Sequence, residues 1–282
     1  MRVLFLADFF SNHINGGGES NDAVLIAHLR ACGLDVTCEQ TDATTTKQID
    51  DHDKIIIGNF IFLSPALKKH LIDNSSYLIY EHDHKYVRTR DPSKFPNFII
   101  PPKELVNVEF YHKAQRVVVL SQICKDVMEK NLGNTNVHSI GSSLWTKKKL
   151  EFLKNCKKDK SEEFAIVDSD NPTKGRPSAI NFCQNKKIDF NLISSPDQYE
   201  FLQILAKHET LIFIPQVLET YCRLVAEAKM LECKVYTNQL LIGFMSEPYK
   251  DLTGLSLTNK IETKVDEALE YFYSWANEGI EK

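Results

Sequence analysis

Short apolar runs alternate with amphipathic stretches along the whole chain. The runs at 2–7 (RVLFLA), 35–38, 54–58, 77–80, 116–120 and 137–140 are brief, rich in β-branched or aromatic residues, and show little polar alternation. That pattern predicts parallel strands covered on both faces. Further runs at 164–167, 190–193, 210–214 and 234–237 repeat it in the second half. Helical spacing between the runs predicts a helix over 20–32, stopped by Gly33, and another over 122–131 with Ser121 at its N-cap. Near the end, Val265, Ala268, Leu269 and Phe272 recur at helical intervals over 262–277, with Tyr271, Tyr273 and Trp275 as packing residues. Strands and helices that alternate with few hairpin signals predict βαβ units, hence an α/β fold with parallel sheets.

A chain of 282 residues suits two domains of about 100 to 150 residues each. The lysine-rich stretch 147–160 divides the strand series, which gives expected segments 1–145, 146–261 and a terminal helix at 262–282. With 43% hydrophobic and 26% charged residues the composition is that of an ordinary globular protein. A formal charge of −4 gives no global preference for nucleic acid. The seven cysteines are scattered without C-x-x-C spacing, which points to reduced thiols in a cytoplasmic setting. The opening apolar run is too short for a signal peptide, and no run reaches the length of an integral membrane segment.

Four stretches carry candidate chemistry. In FIPQVLETYCRLVAEAKMLECKVYTN, Glu219 and Glu227 lie eight positions apart after an apolar strand, Glu219 just before a helix and Glu227 inside it, on roughly one face. A ligand there would meet the strand's carboxyl end and the helix N-terminus together, where exposed N–H groups favour phosphate. Spacing alone leaves a plainer reading equally open, with one acid favouring the helix dipole and the other solvated. In AIVDSDNPTKGRPSAI, Lys174, Gly175 and Arg176 follow a strand and precede a helix opening near Ser178; an ordinary turn with solvated charges is the alternative. The strand in YLIYEHDHKYVRTRDPSKF ends in Glu81, His82, Asp83 and His84, whose side chains alternate in direction and so do not converge on a metal. After the first strand come Gly16, Gly17, Gly18 and Glu19, a glycine loop without the spacing of a dinucleotide fingerprint.

Taken in order, these four stretches resemble the retaining glycosyltransferases of the GT-B fold, especially family four of the sugar-nucleotide-dependent enzymes with its Glu-x7-Glu segment. Glu219, Tyr221, Glu227, Ala228 and Val235 match that segment, Cys222 and Cys233 replace its two glycines, and Lys234 replaces its proline. The resemblance implies two Rossmann-like domains with parallel sheets facing across a cleft, the first for the acceptor and the second for the nucleotide sugar. The terminal helix would cross back to the first domain. It implies a nucleotide-diphosphate sugar such as a UDP-sugar as donor, a hexosyl or pentosyl group transferred with retention, and neither cofactor nor metal. Glu227 would hold the donor ribose and Glu219 the donor sugar, alongside Thr220, Tyr221 and Cys222. Lys174, with Arg176 as a second cation, would neutralise the diphosphate, Gly17 and Gly18 would approach the donor, and His82 would orient the sugar. A glycan or lipid-linked sugar is the usual acceptor. The compact chain also resembles phage-encoded transferases that modify hydroxymethylated DNA bases, for which the loop 84–94 and the lysines of 147–160 could meet phosphates. The cysteine replacements keep a non-catalytic sugar-nucleotide or glycan-binding module open as the alternative.

Overall fold

A computed structural model describes residues 1–14, 16–133 and 136–278. Positions 15, 134, 135 and 279–282, which fall within the expected segments 1–145 and 262–282, lie outside the described residues. Contacts divide the chain into two compact units, one formed by Met1–Trp145 with the chain from Lys264 onward, the other by Thr146–Thr263.

The first unit holds strands β1 (Arg2–Ala7), β2 (Asp35–Gln40), β3 (Lys54–Ile57), β4 (Tyr77–Tyr80), β5 (Arg116–Val119) and β6 (Val137–Ser139) in one parallel sheet of order β2-β1-β3-β4-β5-β6. Its helices are α1 (Gly17–Ala31), α2 (Thr46–Asp50), α3 (Pro65–Asn74), α4 (Val108–Lys113) and α5 (Gln122–Leu132). The central strands are buried almost throughout, as their largely apolar sequences require when both faces are covered. The second unit holds β7 (Glu162–Val167), β8 (Asn191–Ile193), β9 (His208–Ile212) and β10 (Lys234–Tyr236), all parallel in the order β10-β9-β7-β8, with α6 (Lys147–Asn155), α7 (Arg176–Lys186), α8 (Gln198–Ala206) and α9 (Arg223–Met230). Ile166 and Ile212 pack there on Ala179 and Cys183 of α7. The last helix, α10 (Gly254–Asn277), begins within the second unit and ends within the first.

Several boundaries differ from the pattern in the sequence, each for a local reason. Helix α1 starts at Gly17 rather than at Ser20, so Gly17 and Gly18 are its first turn and not part of a loop; their N–H groups need no intrahelical partner there. Strand β9 covers 208–212 rather than 210–214, because the polar pair His208 and Glu209 opens it, with Glu162 of β7 aligned to His208. His208 is buried, its ring near the Ile204 carbonyl at 3.0 Å. Helix α7 opens at Arg176, two residues before Ser178, because Gly175 takes a left-handed conformation as its N-cap and Pro177 follows in the first turn. Ser121 occupies the N-cap position of α5 but its side chain makes no capping hydrogen bond. The stretch 147–160 is no spacer: α6 buries Lys149, Leu150 and Leu153.

The C-terminus of α9 closes through a residue other than glycine. Glu232, not Cys233, has the left-handed backbone, with φ 61°. Its N–H bonds the Lys229 carbonyl at 3.0 Å and that of Cys233 bonds Ala228 at 2.8 Å, a Schellman closure whose left-handed residue is ordinarily glycine. Glu232→Gly is therefore expected to stabilise the second unit by about 0.5–1 kcal/mol, after allowing for the lost exposed pair with Lys158 and the greater freedom of the unfolded chain. A higher urea midpoint by circular dichroism would show it.

Candidate functional site

In the second unit the chain runs outward from β7 to β8 on one side and returns to β9 on the other, so β7 and β9 are neighbours at a reversal of strand order. Loops leaving the carboxyl ends of two such strands diverge and open a crevice, the usual ligand position in α/β sheets. The β7 loop carries Lys174 and the β9 loop carries Glu219, and the structure joins them: Lys174 Nζ donates to Glu219 Oε1 at 2.9 Å. Glu219 keeps 14% side-chain exposure and Lys174 38%. Burial works against the lysine's charge, but the Glu219 carboxylate outweighs it and holds the Lys174 pKa above the ordinary lysine value.

Backbone proximity sets this pairing. Gly175 has φ 67°, and a Cβ built on it would lie 1.7 Å from the Ile214 carbonyl oxygen. Only glycine allows the two loops to come this close. Beside it, Gln216 N–H donates to the Thr173 carbonyl at 2.8 Å and ties the loops together.

Glu227 has a different partner from Glu219. Helix α9 begins only at Arg223, so the two acids do not share a helix face; Glu219 sits in a short bridge with Ile242. The Glu227 carboxylate is buried, 2.8 Å from Lys149 Nζ and 3.8 Å from Arg223 Nε. Lys149, read in the sequence as one of a solvated run, is itself buried and also donates to Gln198 Oε1 at 2.9 Å. Arg176 turns to Asp168 and Asp170 instead of joining Lys174. Thr220 is half-buried. Tyr221 packs edge-on to Phe244 with its hydroxyl 3.0 Å from that of Tyr249. Cys222 adopts φ 71° at the N-cap of α9, a conformation natural to glycine and uncommon for other residues. Burial, then the nearby Glu219 charge, pushes its thiol pKa far up, so it stays protonated.

In the first unit, His82 follows β4 and is buried, with Nε2 2.8 Å from Asp22 Oδ1 of α1. Gly18 lies against the imidazole, where an added Cβ would be 3.3 Å from its Cγ; Gly17 is exposed. Gly58, at the end of β3, leaves room for the Asp22 carboxylate. Glu81, beside His82, accepts from Tyr111 and from Lys85 Nζ at 2.7 Å, and Lys85 also reaches Asp83 at 2.6 Å. Sequence reasoning missed Asp22 and Lys149, although each sits at helical spacing with buried leucines, Asp22 with Leu25 and Leu29, Lys149 with Leu153. An ionisable residue on an apolar helix face was the available signal.

No group of three or more potential metal ligands occurs among the described residues, and none of their helices is long and apolar enough to cross a membrane. No protein-family model matches the sequence, and no curated protein sequence matches it. Solved structures do match. Anabaena Alr3699/HepE in complex with UDP and glucose aligns over 97% of this chain and 100% of its own with a TM-score of 0.56 at 12% identity. Sucrose-phosphate synthase of Thermosynechococcus elongatus aligns over 98% and 91% with a TM-score of 0.58 at 11% identity. The fold is GT-B. An alpha-glucosyltransferase in complex with UDP and a 13-mer DNA containing a HMU base also aligns, over 98% of this chain and 93% of its own, with a TM-score of 0.50 at 12% identity. The GT-B comparison spans both parallel sheets, whereas identities this low carry the fold and no residue roles.

Proposed function

We propose that the chain is a nucleotide-sugar-dependent glycosyltransferase that uses a UDP-linked hexose, with Met1–Trp145 as acceptor domain and Thr146–Thr263 as donor domain. The observation that supports this best is the Lys174–Glu219 pair at the diverging ends of β7 and β9. A cation and a carboxylate held together there suit a donor that is anionic at its diphosphate and rich in hydroxyls at its sugar. As the glycosidic bond breaks, the diphosphate gains charge that Lys174 is placed to stabilise. Glu219 would accept from sugar hydroxyls and Glu227 from the ribose, while Arg176, held by its two aspartates, would stand behind Lys174. His82, steadied by Asp22, would hydrogen-bond the sugar. Retention would follow if the acceptor hydroxyl attacks on the face the diphosphate leaves, giving its proton to a leaving-phosphate oxygen. No protein nucleophile is required.

A glycan acceptor is favoured over DNA. Of the basic loop after β4, Lys85 is buried, Arg90 is paired with Asp83 and Arg88 lies 3.6 Å from Glu104. In and after α6, Lys154 and Lys158 are engaged with Glu262 and Glu232. The complex of the related fold with modified DNA keeps that acceptor as the second choice.

The test is a panel of nucleotide sugars followed by thermal shift and by release of free nucleoside diphosphate. UDP-hexose should both stabilise the protein and be consumed, and Glu227→Ala should raise the donor KM about tenfold. A donor that stabilises the protein and is never consumed, with glycan and DNA acceptors supplied, would make the chain a binding module. No stabilisation by any nucleotide sugar would reject both.

A further inference from the structure

Glu227 and Lys149 form a buried ion pair, an arrangement that adds little net stability to a fold. Taking two charges out of water costs about what their attraction returns, and apolar residues of similar volume would serve the packing equally well. The pair is nevertheless built from three helices: Glu227 on α9, Lys149 on α6, and Gln198, which receives a second Lys149 hydrogen bond, at the start of α8. Thr146 fixes the first turn of α6 by accepting from the Lys149 N–H at 3.2 Å. A lysine held this way fixes the position of the Glu227 carboxylate and balances its negative charge.

An anionic carboxylate is an acceptor only, and a ribose diol offers two adjacent O–H donors. A protonated acid would present one donor and lose that match. We propose that Lys149 is the positioning residue that makes Glu227 a reader of the ribose diol, so that the donor site distinguishes ribonucleotides from 2′-deoxyribonucleotides. The proposal rests on the reading above that Glu227 receives the donor ribose.

Calorimetric titration of UDP, ADP and GDP and of their 2′-deoxy counterparts tests it on the full chain. The unaltered protein should bind its preferred ribonucleotide about tenfold more tightly than the 2′-deoxy form. Lys149→Met should bring that ratio close to one chiefly by weakening the ribonucleotide, and Lys149→Arg should restore it. A general loss of structure would weaken both nucleotides together and leave the ratio alone. Because Lys149→Met strands a buried carboxylate, Lys149→Met/Glu227→Gln, which removes both charges, supplies a second variant. It should be folded by circular dichroism and equally indifferent to the 2′-hydroxyl. A Lys149→Met ratio equal to that of the unaltered protein, with Glu227→Gln abolishing discrimination, would overturn the role of Lys149 and leave the ribose reading standing. Discrimination that survives Glu227→Gln, or no binding of any of the nucleotides, would overturn the reading itself.

Discussion

Glu219→Gln is expected to separate binding from turnover in opposite directions. Lys174 is engaged by Glu219 at 2.9 Å, so a diphosphate docking on Lys174 as proposed would have to draw the lysine from a carboxylate while approaching that same negative charge. Neutralising the acid removes both obstacles. At an effective dielectric near 20, charges about 5 Å apart interact by roughly 3 kcal/mol, and solvent at this part-exposed site reduces that, so a gain of about tenfold in UDP affinity is the expected scale. Transfer should fall by about 100-fold, since the amide would hold the donor sugar without the anionic acceptor that orients its hydroxyls. Lys174→Ala is the counterpart, with UDP bound more weakly and turnover down by about 100-fold or more. Steady-state kinetics on the consumed donor and calorimetry with UDP would check both. Weaker UDP binding in Glu219→Gln would show that the acid helps the diphosphate rather than competing for its cation.

Gly175→Ala should be the most damaging single methyl in the second unit. The left-handed backbone alone costs a non-glycine residue about 1–2 kcal/mol. The new Cβ would also meet the Ile214 carbonyl oxygen at 1.7 Å, a contact with backbone rather than with a side chain that could swing away. Overpacking of that kind adds about 1–3 kcal/mol, for an expected loss of about 2–5 kcal/mol. Relief requires the β7 and β9 loops to separate, which would part Lys174 from Glu219 and break the bond from Gln216 to Thr173. Hydrogen exchange should therefore show amides of β7 and β9 losing about 100-fold in protection, with β1, β3 and β4 unchanged. Protection and UDP affinity equal to those of the unaltered chain would show that the loops tolerate separation.

The parallel sheets were legible because β1, β3 and β5 are apolar after a single opening Arg or Lys and β4 throughout, a pattern that burial on both faces demands. The start of β9 was hidden because His208 and Glu209 are polar; what makes them strand residues is pairing with β7, which periodicity does not report. At the candidate site, Lys174 and Glu219 could be picked out in the segments that follow strands, and Glu227 by its spacing from Glu219; the Lys174–Glu219 contact then emerges from sheet order. Partners are harder to read than positions. Lys149 belongs to a run of lysines whose composition says solvent, and its burial depends on the packing of α6. Asp22 lies sixty residues from His82 in sequence, and only the approach of α1 to the end of β4 joins them. The left-handed corner after α9 was not legible because Glu232 does not announce such a backbone, as a glycine would have done.

At Gly175 the geometry depends on an atom that is missing, and this bears on how the chain could diverge. The neighbouring Asn171 and Thr173 satisfy one another locally, with Thr173 Oγ1 donating to Asn171 Oδ1 at 2.8 Å, so replacing their side chains should leave the crossing of the loops intact, whereas position 175 admits no side chain at all. A fold that hangs on so few fixed positions leaves most of the sequence unconstrained.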